Sequence, residues 1–321
     1  MSAEIIRNHL RNGEPGLARV GAEGALDGAS DDDRGQLLAL LSRALLRLGQ
    51  PRQALRKAEA AAEQTAHWEA TLALGEALVA MGEAHPARAL LTGALSTGSD
   101  DAAAAVQLNA ALAEACRAAG DPVTGIDVAT RAVMLAERTH GIGSPDVAEA
   151  LHGLGVCLHA ADRTADAAEV LKRALQLRVR HAPLTSDHAT TLDALGSVRR
   201  KQSKPFDAVK LHRQALEIWR QQVGERAGPV GACRHQLAQA LHRTGDFVAA
   251  KNEMEAAYGI TVATLGPDHV DTWICAFELG RMELDIGMPE EGIARMTEAR
   301  GEVEHRLGAR HPVVLSMNAH L

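Results

Sequence analysis

Apolar residues recur along almost the whole chain in short Ala- and Leu-rich segments separated by turn signals, the pattern of one amphipathic helix after another. No sustained run alternates Val, Ile and Thr with polar residues, so strands are not expected. The segments keep a fixed phase. Turn positions fall at Gly13, Gly49, Gly82, Gly120, Asp162, Ser203, Gly245 and Gly287, and an Ala follows each by twelve residues: Ala25, Ala61, Ala94, Ala132, Ala174, Ala215, Ala257 and Ala299. Seven residues before the turn, seven of the eight units carry a small residue: Ser42, Gly75, Ala113, Gly155, Gly196, Ala238 and Gly280. Leu precedes the small residue at Leu74, Leu112, Leu154, Leu195, Leu237 and Leu279; the first unit has Ile6 at the small-residue place.

This phase predicts helical hairpins. The small residue lets the return helix approach, the Leu beside it fills the core, and the turn residue ends the first helix in a left-handed conformation. One hairpin cannot bury its apolar face alone, so the units must stack. Turn-to-turn spacings of 36, 33, 38, 42, 41, 42 and 42 place all length variation between one unit's second Ala and the next unit.

The chain thereby resembles the tetratricopeptide repeat family. Its early units approach that family's 34-residue period, and its later ones are similar to the 42-residue variety of kinesin light chains and many bacterial multidomain regulators. LGPDHVDT around His269 and LGARHPVV around His311 match the Asp-His-Pro-like start of such repeats, with GIGSPDVAEA and TSDHATT as weaker versions. Most of the family's aromatic packing positions are Leu, Val or Ala here. The resemblance implies an all-α fold, a right-handed superhelical α-solenoid of about eight stacked units whose first helices line a groove. On this reading residues 1–321 form one solenoid, with shorter-period repeats over 1–105, 42-residue-type repeats over 106–310, and a terminal half-repeat or capping helix over 311–321. That last segment reads first as a cap, with a self-association element or the start of a further repeat as the alternatives.

In such repeats the groove-facing places lie three residues before the small residue and one, four and five after it, on one helical face. They select Arg43 and Arg47; Glu76; Glu114 and Arg117; His152 and His159; Asp193, Ser197, Arg200 and Lys201; His235, Gln239, His242 and Arg243; and Phe277, Arg281, Leu284 and Asp285. The chaperone-tail-binding version of the family carries Asn directly after the small residue. Arg7, Arg43, Glu76, Glu114, Val156, Ser197, Gln239 and Arg281 stand there instead, so that ligand is not expected.

Charge is uneven. Lys172 to Arg213 holds ten basic and three acidic residues, +7 in a chain of −7. The segment either attracts an acidic peptide or shields helix surfaces with long aliphatic stems. The overall negative balance argues against general nucleic-acid binding, and no apolar run is long enough for a membrane span. Cys116, Cys157, Cys233 and Cys275 form no CxxC pair and read as small buried residues in a reducing compartment, which points to the cytoplasm. His152 and His159, like His235 and His242, are seven apart, two helical turns, too far for one zinc ion. They are expected in the groove, where they would make binding pH-dependent near neutrality. His269 and His311 mark helix starts, with Asp268 as the expected cap and Pro312 as a first-turn residue. No GxSxG, P-loop or GxGxxG motif occurs, so neither an enzyme nor a cofactor is expected.

The expected function is a protein–protein interaction scaffold or adaptor that binds a protein or peptide, an acidic segment being one candidate. The alternative is a regulatory or sensing subunit that restrains an effector such as a caspase-like protease or a signalling ATPase.

Overall fold

A computed structural model describes residues 2–97 and 101–321, and every regular element among them is an α-helix. The chain divides into two compact units, residues 1–198 and 199–321. In the first, α1 (Ala3–Arg11) pairs with α2 (Pro15–Leu26), α3 (Asp31–Arg47) with α4 (Pro51–Gln64), α5 (Trp68–Ala80) with α6 (Ala84–Ser96), α7 (Ala102–Ala118) with α8 (Pro122–His140), and α9 (Pro145–Ala160) with α10 (Thr164–His181). The division falls inside α11 (Ser186–Lys201). The second unit holds α12 (Pro205–Val223), the hairpins α13 (Gly228–Thr244)–α14 (Phe247–Leu265) and α15 (Val270–Asp285)–α16 (Pro289–Leu307), and α17 (Pro312–Asn318).

All eight turn positions adopt positive φ: Gly13, Gly49, Gly82, Gly120, Gly245 and Gly287 between 70° and 86°, Asp162 at 64° and Ser203 at 57°. The hydrogen bonding explains the demand. Gly120 N–H donates to the Arg117 carbonyl (3.1 Å) and Asp121 N–H to Cys116 (2.9 Å); Gly287 and Met288 repeat the pattern on Leu284 and Glu283. These paired bonds satisfy carbonyls that the helix end would leave open. Five second helices then begin with Pro, at Pro15, Pro51, Pro122, Pro205 and Pro289, where the missing N–H costs nothing.

The small residues sit at helix–helix contacts. A Cβ on Gly155 would lie 2.5 Å from Leu171 of α10, and one on Gly75 would lie 2.8 Å from Leu91 of α6. On Gly280 it would meet the Gly292 carbonyl oxygen and the Met296 side chain at 2.8 Å. Ser42 holds the same place and donates its hydroxyl to the Ala54 carbonyl (2.8 Å), which satisfies it inside the core. Of the Ala residues twelve after each turn, Ala61, Ala132, Ala174, Ala215, Ala257 and Ala299 are fully buried. First helices also stack on one another, α3 on α5, α5 on α7 and α7 on α9, so hairpins share a continuous core.

The loops between hairpins differ from the sequence expectation at one cap. His269, not Asp268, caps α15: its Nδ1 accepts from the Asp271 N–H (3.2 Å). Asp268 is exposed and faces Arg306 at 3.7 Å. The reason is register, because the helix starts at Val270 and the residue just before it has the extended backbone a cap requires. His67 and His311 cap α5 and α17 in the same way. In α17, Val314 and Met317 are buried in a cluster with Phe277, Met296, Ala299 and Val303.

Candidate partner-binding recesses

In the first unit, α3, α5, α7 and α9 line one recess of about 250 Å³. Arg43, Glu76, Glu114 and His152 lie on its wall with Gln107 and Glu149, and Ala110, Ala111 and Gly153 leave the space. Its polar groups are ordered by one another. Arg43 is buried, grips Glu76 through Nε (2.9 Å) and Nη2 (3.3 Å), and donates Nη1 to Gln107 (2.8 Å). Arg117 pairs with Glu114 within α7 at 2.7 Å.

Arg47 joins the two ends of this unit. Its Nη1 donates to the Leu10 carbonyl (2.5 Å) and to Asp187 (3.3 Å), and Nη2 lies 3.7 Å from Glu149. Arg178, itself buried, donates to the Asp187 carbonyl. Nearby, a Cβ on Gly13 would lie 2.5 Å from Thr185, so the first hairpin's turn abuts the loop between α10 and α11. Burial alone would raise the Asp187 carboxyl, but Arg47 and Arg178 outweigh it and hold its pKa below the usual range.

His152 is the correction here. Burial first, then the Arg178 charge, push its pKa down to about 3, so it stays neutral through the physiological range. It cannot supply the near-neutral pH response expected of it. Its Nδ1 lies 3.4 Å from the Thr191 hydroxyl. His159, Asp193 and Ser197 are half-buried and do not line this recess.

In the second unit a recess of about 100 Å³ is lined by Arg200, Gln239, His242, Arg243, Glu278, Arg281 and Met282. The side chains come from the end of α11, from α13 and from α15. Arg281 Nη1 holds Glu278 (3.0 and 3.2 Å), and Arg200 Nη2 donates to Gln236 (3.1 Å). His242 Nε2 lies 2.6 Å from Asp285 Oδ2, and the imidazole meets the Phe247 ring edge-on with centroids 5.3 Å apart. Arg243 is exposed. His235 is half-buried beside this recess, with Nε2 3.0 Å from Gln239 Nε2 and Nδ1 3.5 Å from Cys275 Sγ; Lys201 is exposed at the end of α11.

Two residues selected for the groove face inward. Phe277 is 2% exposed in the core of the last hairpin, and Leu284 packs against it and lies 3.1 Å from where a Gly292 Cβ would be. A bulky apolar side chain at a boundary position turns toward the facing helix, because burial is worth more there than exposure. Glu278 takes the lining place instead.

Sequence reasoning also missed Gln107 and Glu149. Both stand six residues before their unit's small residue, as does Glu69 one unit earlier. Glu69, 1% exposed, accepts from Arg7 Nε (2.6 Å) and Nη2 (3.0 Å). One place in three successive hairpins therefore anchors an Arg from an earlier hairpin: Arg7 on Glu69 and Arg43 on Gln107 from two hairpins before, and Arg47 on Glu149 from three.

All four cysteines are buried and none is in a disulfide. Burial pushes Cys157 up to about 12 and Cys275 up to about 11, which disfavours the thiolate a nucleophile needs. None of the helices, searched over the described residues, is long and apolar enough to cross a membrane.

The tetratricopeptide repeat family matches residues 102–178 and 187–261. A clustered mitochondria protein homolog of Aspergillus clavatus is 28% identical over 155 residues, which are 46% of this chain and 12% of that protein. The chain thus matches about an eighth of that relative's length. Among solved structures, a putative kinesin light chain of Podosopora anserina with nearly identical TPR-like repeats aligns with a TM-score of 0.53 at 18% identity, over 63% of this chain and 97% of that one. The Cut9–Hcn1 hetero-tetramer of the APC/C aligns with a TM-score of 0.70 at 14% identity, over 98% of this chain and 54% of that one.

Proposed function

We propose that this chain, a tetratricopeptide repeat protein similar to kinesin light chain repeats, is a non-catalytic scaffold that holds a segment of another protein against its first helices. The observation that carries the reading is the source of the lining. In each unit, successive first helices bring polar side chains to one recess, which second helices do not enter. Such surfaces suit extended partners, because each repeat adds one more contact along a line. An acidic partner segment fits the second unit best, where three Arg side chains face one Glu. Lys172 and Arg173, by contrast, pair with Glu169 and Glu137, so part of the basic central segment is neutralised locally. The four buried cysteines suit a reducing compartment, and we place the protein in the cytoplasm.

Site-specific photo-crosslinking in the native host tests the reading. A crosslinking residue at Val156 or Gln239, in the two recesses, should trap a discrete partner; one at the exposed Val248 should not. Adducts from Val248 alone would move the binding surface to the second helices and refute the proposal.

A further inference from the structure

We propose that the second-unit recess is a phosphate-monoester site, which takes a phosphorylated side chain of the partner. The inference rests on the scaffold reading above and narrows it from an acidic segment to one chemical group.

Three guanidinium groups, from Arg200, Arg243 and Arg281, reach this recess from three helices, and Glu278 is the one carboxylate on its wall. Guanidinium groups outnumber carboxylates on this wall, an excess of positive charge that suits the roughly −1.5 to −2 of a phosphate monoester near neutral pH. Geometry separates phosphate from carboxylate. A carboxylate has two oxygens, and a single guanidinium fork occupies both. Guanidinium groups converging from separate helices are better matched by the three free oxygens of a phosphate monoester, each of which accepts from a different direction.

The donors are in place for this. Glu278 engages Arg281 only through Nη1, which leaves Nε and Nη2 without a protein acceptor among the described residues, while fixing the side chain's direction. Arg243 has no carboxylate partner among the described residues. Gln239 adds an amide donor to the wall. Asp285 and the edge of Phe247 hold the His242 ring, so His242 borders the recess in a set orientation. A volume of about 100 Å³ admits one compact anionic group rather than a stretch of chain.

The test uses the full chain and three labelled Gly-Ser peptides of one length, which carry a single phosphoserine, an unmodified Ser, or two adjacent Asp. Binding is read by fluorescence anisotropy to millimolar protein. The phosphoserine peptide should bind at least tenfold more tightly than the two-Asp peptide, and the Ser peptide more weakly still. Arg281→Ala and Arg243→Ala should each remove at least tenfold of the phosphoserine affinity, and Arg281→Lys, which keeps the charge without the fork, should recover only part. Arg173→Ala, in the first unit and outside the lining, should leave it unchanged. Circular dichroism of each variant checks that the helices persist. Equal affinity for the phosphoserine and two-Asp peptides would overturn the phosphate assignment and leave the acidic-segment reading standing. Phosphoserine binding that ignores both Arg→Ala changes would overturn the assignment to this recess. Failure of all three peptides to bind would overturn the phosphate site, and the photo-crosslinking result would then decide the scaffold reading by itself.

Discussion

Arg47 and Asp187 stand 140 positions apart in the sequence and meet at 3.3 Å inside the first unit. Neither is fully exposed, and Arg47 also holds the Leu10 carbonyl and approaches Glu149. A double-mutant cycle of Arg47→Ala and Asp187→Ala should give a coupling of about 1–2 kcal/mol in urea unfolding, with each single change costing about 2–3 kcal/mol. Additive losses would mean that the two ends of the unit are held by apolar contacts and not by this pair.

Small residues at hairpin contacts should be intolerant of size. Gly155→Val places a Cβ where Leu171 already lies and should destabilise by about 1–3 kcal/mol. Gly301→Ala, in a helix with nothing within 4 Å of the new methyl, should stabilise by about 0.5–1 kcal/mol. Thermal midpoints of the two variants should therefore move in opposite directions.

Ser203 holds a left-handed turn position, with φ of 57°, where six of its equivalents on the same phase are glycine at φ of 70° to 86°. Ser203→Gly should stabilise by about 1 kcal/mol, and Gly245→Ser should destabilise by a similar amount. Matching denaturation curves for both variants and the parent would remove the strain argument.

His152 makes a pH prediction with a definite sign. Its folded pKa, about 3, lies below the ordinary 6.5, so the unfolded chain binds the proton more readily. Stability from this group is complete above the ordinary value and is lost as pH falls toward the folded one. By pH 5 the loss should be about 2 kcal/mol relative to neutral pH. His152→Gln should flatten that part of the stability profile; an unchanged slope would place the titration elsewhere.

Much of this architecture is legible in the sequence because it rests on local geometry. Gly120 and Ala132 announce a turn and a tight return helix whatever the neighbouring hairpins do, and the structure gives the turn a left-handed backbone and buries the Ala. The Pro that opens five second helices was equally available as a signal. Site residues were harder to read. Phe277 shares a register place with His152 and His235, yet its apolar ring turns to the core. Gln107 and Glu149 lie outside the usual groove offsets. They become visible only when Glu69, Gln107 and Glu149 are aligned on one phase and the Arg residues two or three hairpins earlier are noticed. The closure of Arg47 on Asp187 depends on how five hairpins wind together, which no local pattern specifies.

The central claim is that partners are held by the first-helix recesses. Quantitative affinity purification from the native host, with the parent chain, an Arg200→Glu/Arg243→Glu/Arg281→Glu variant and a control, Arg173→Glu, on the second helix α10, addresses it most directly. A specific partner should be recovered equally by the parent and the control and at least tenfold less by the recess variant. Equal recovery by all three chains would contradict the account.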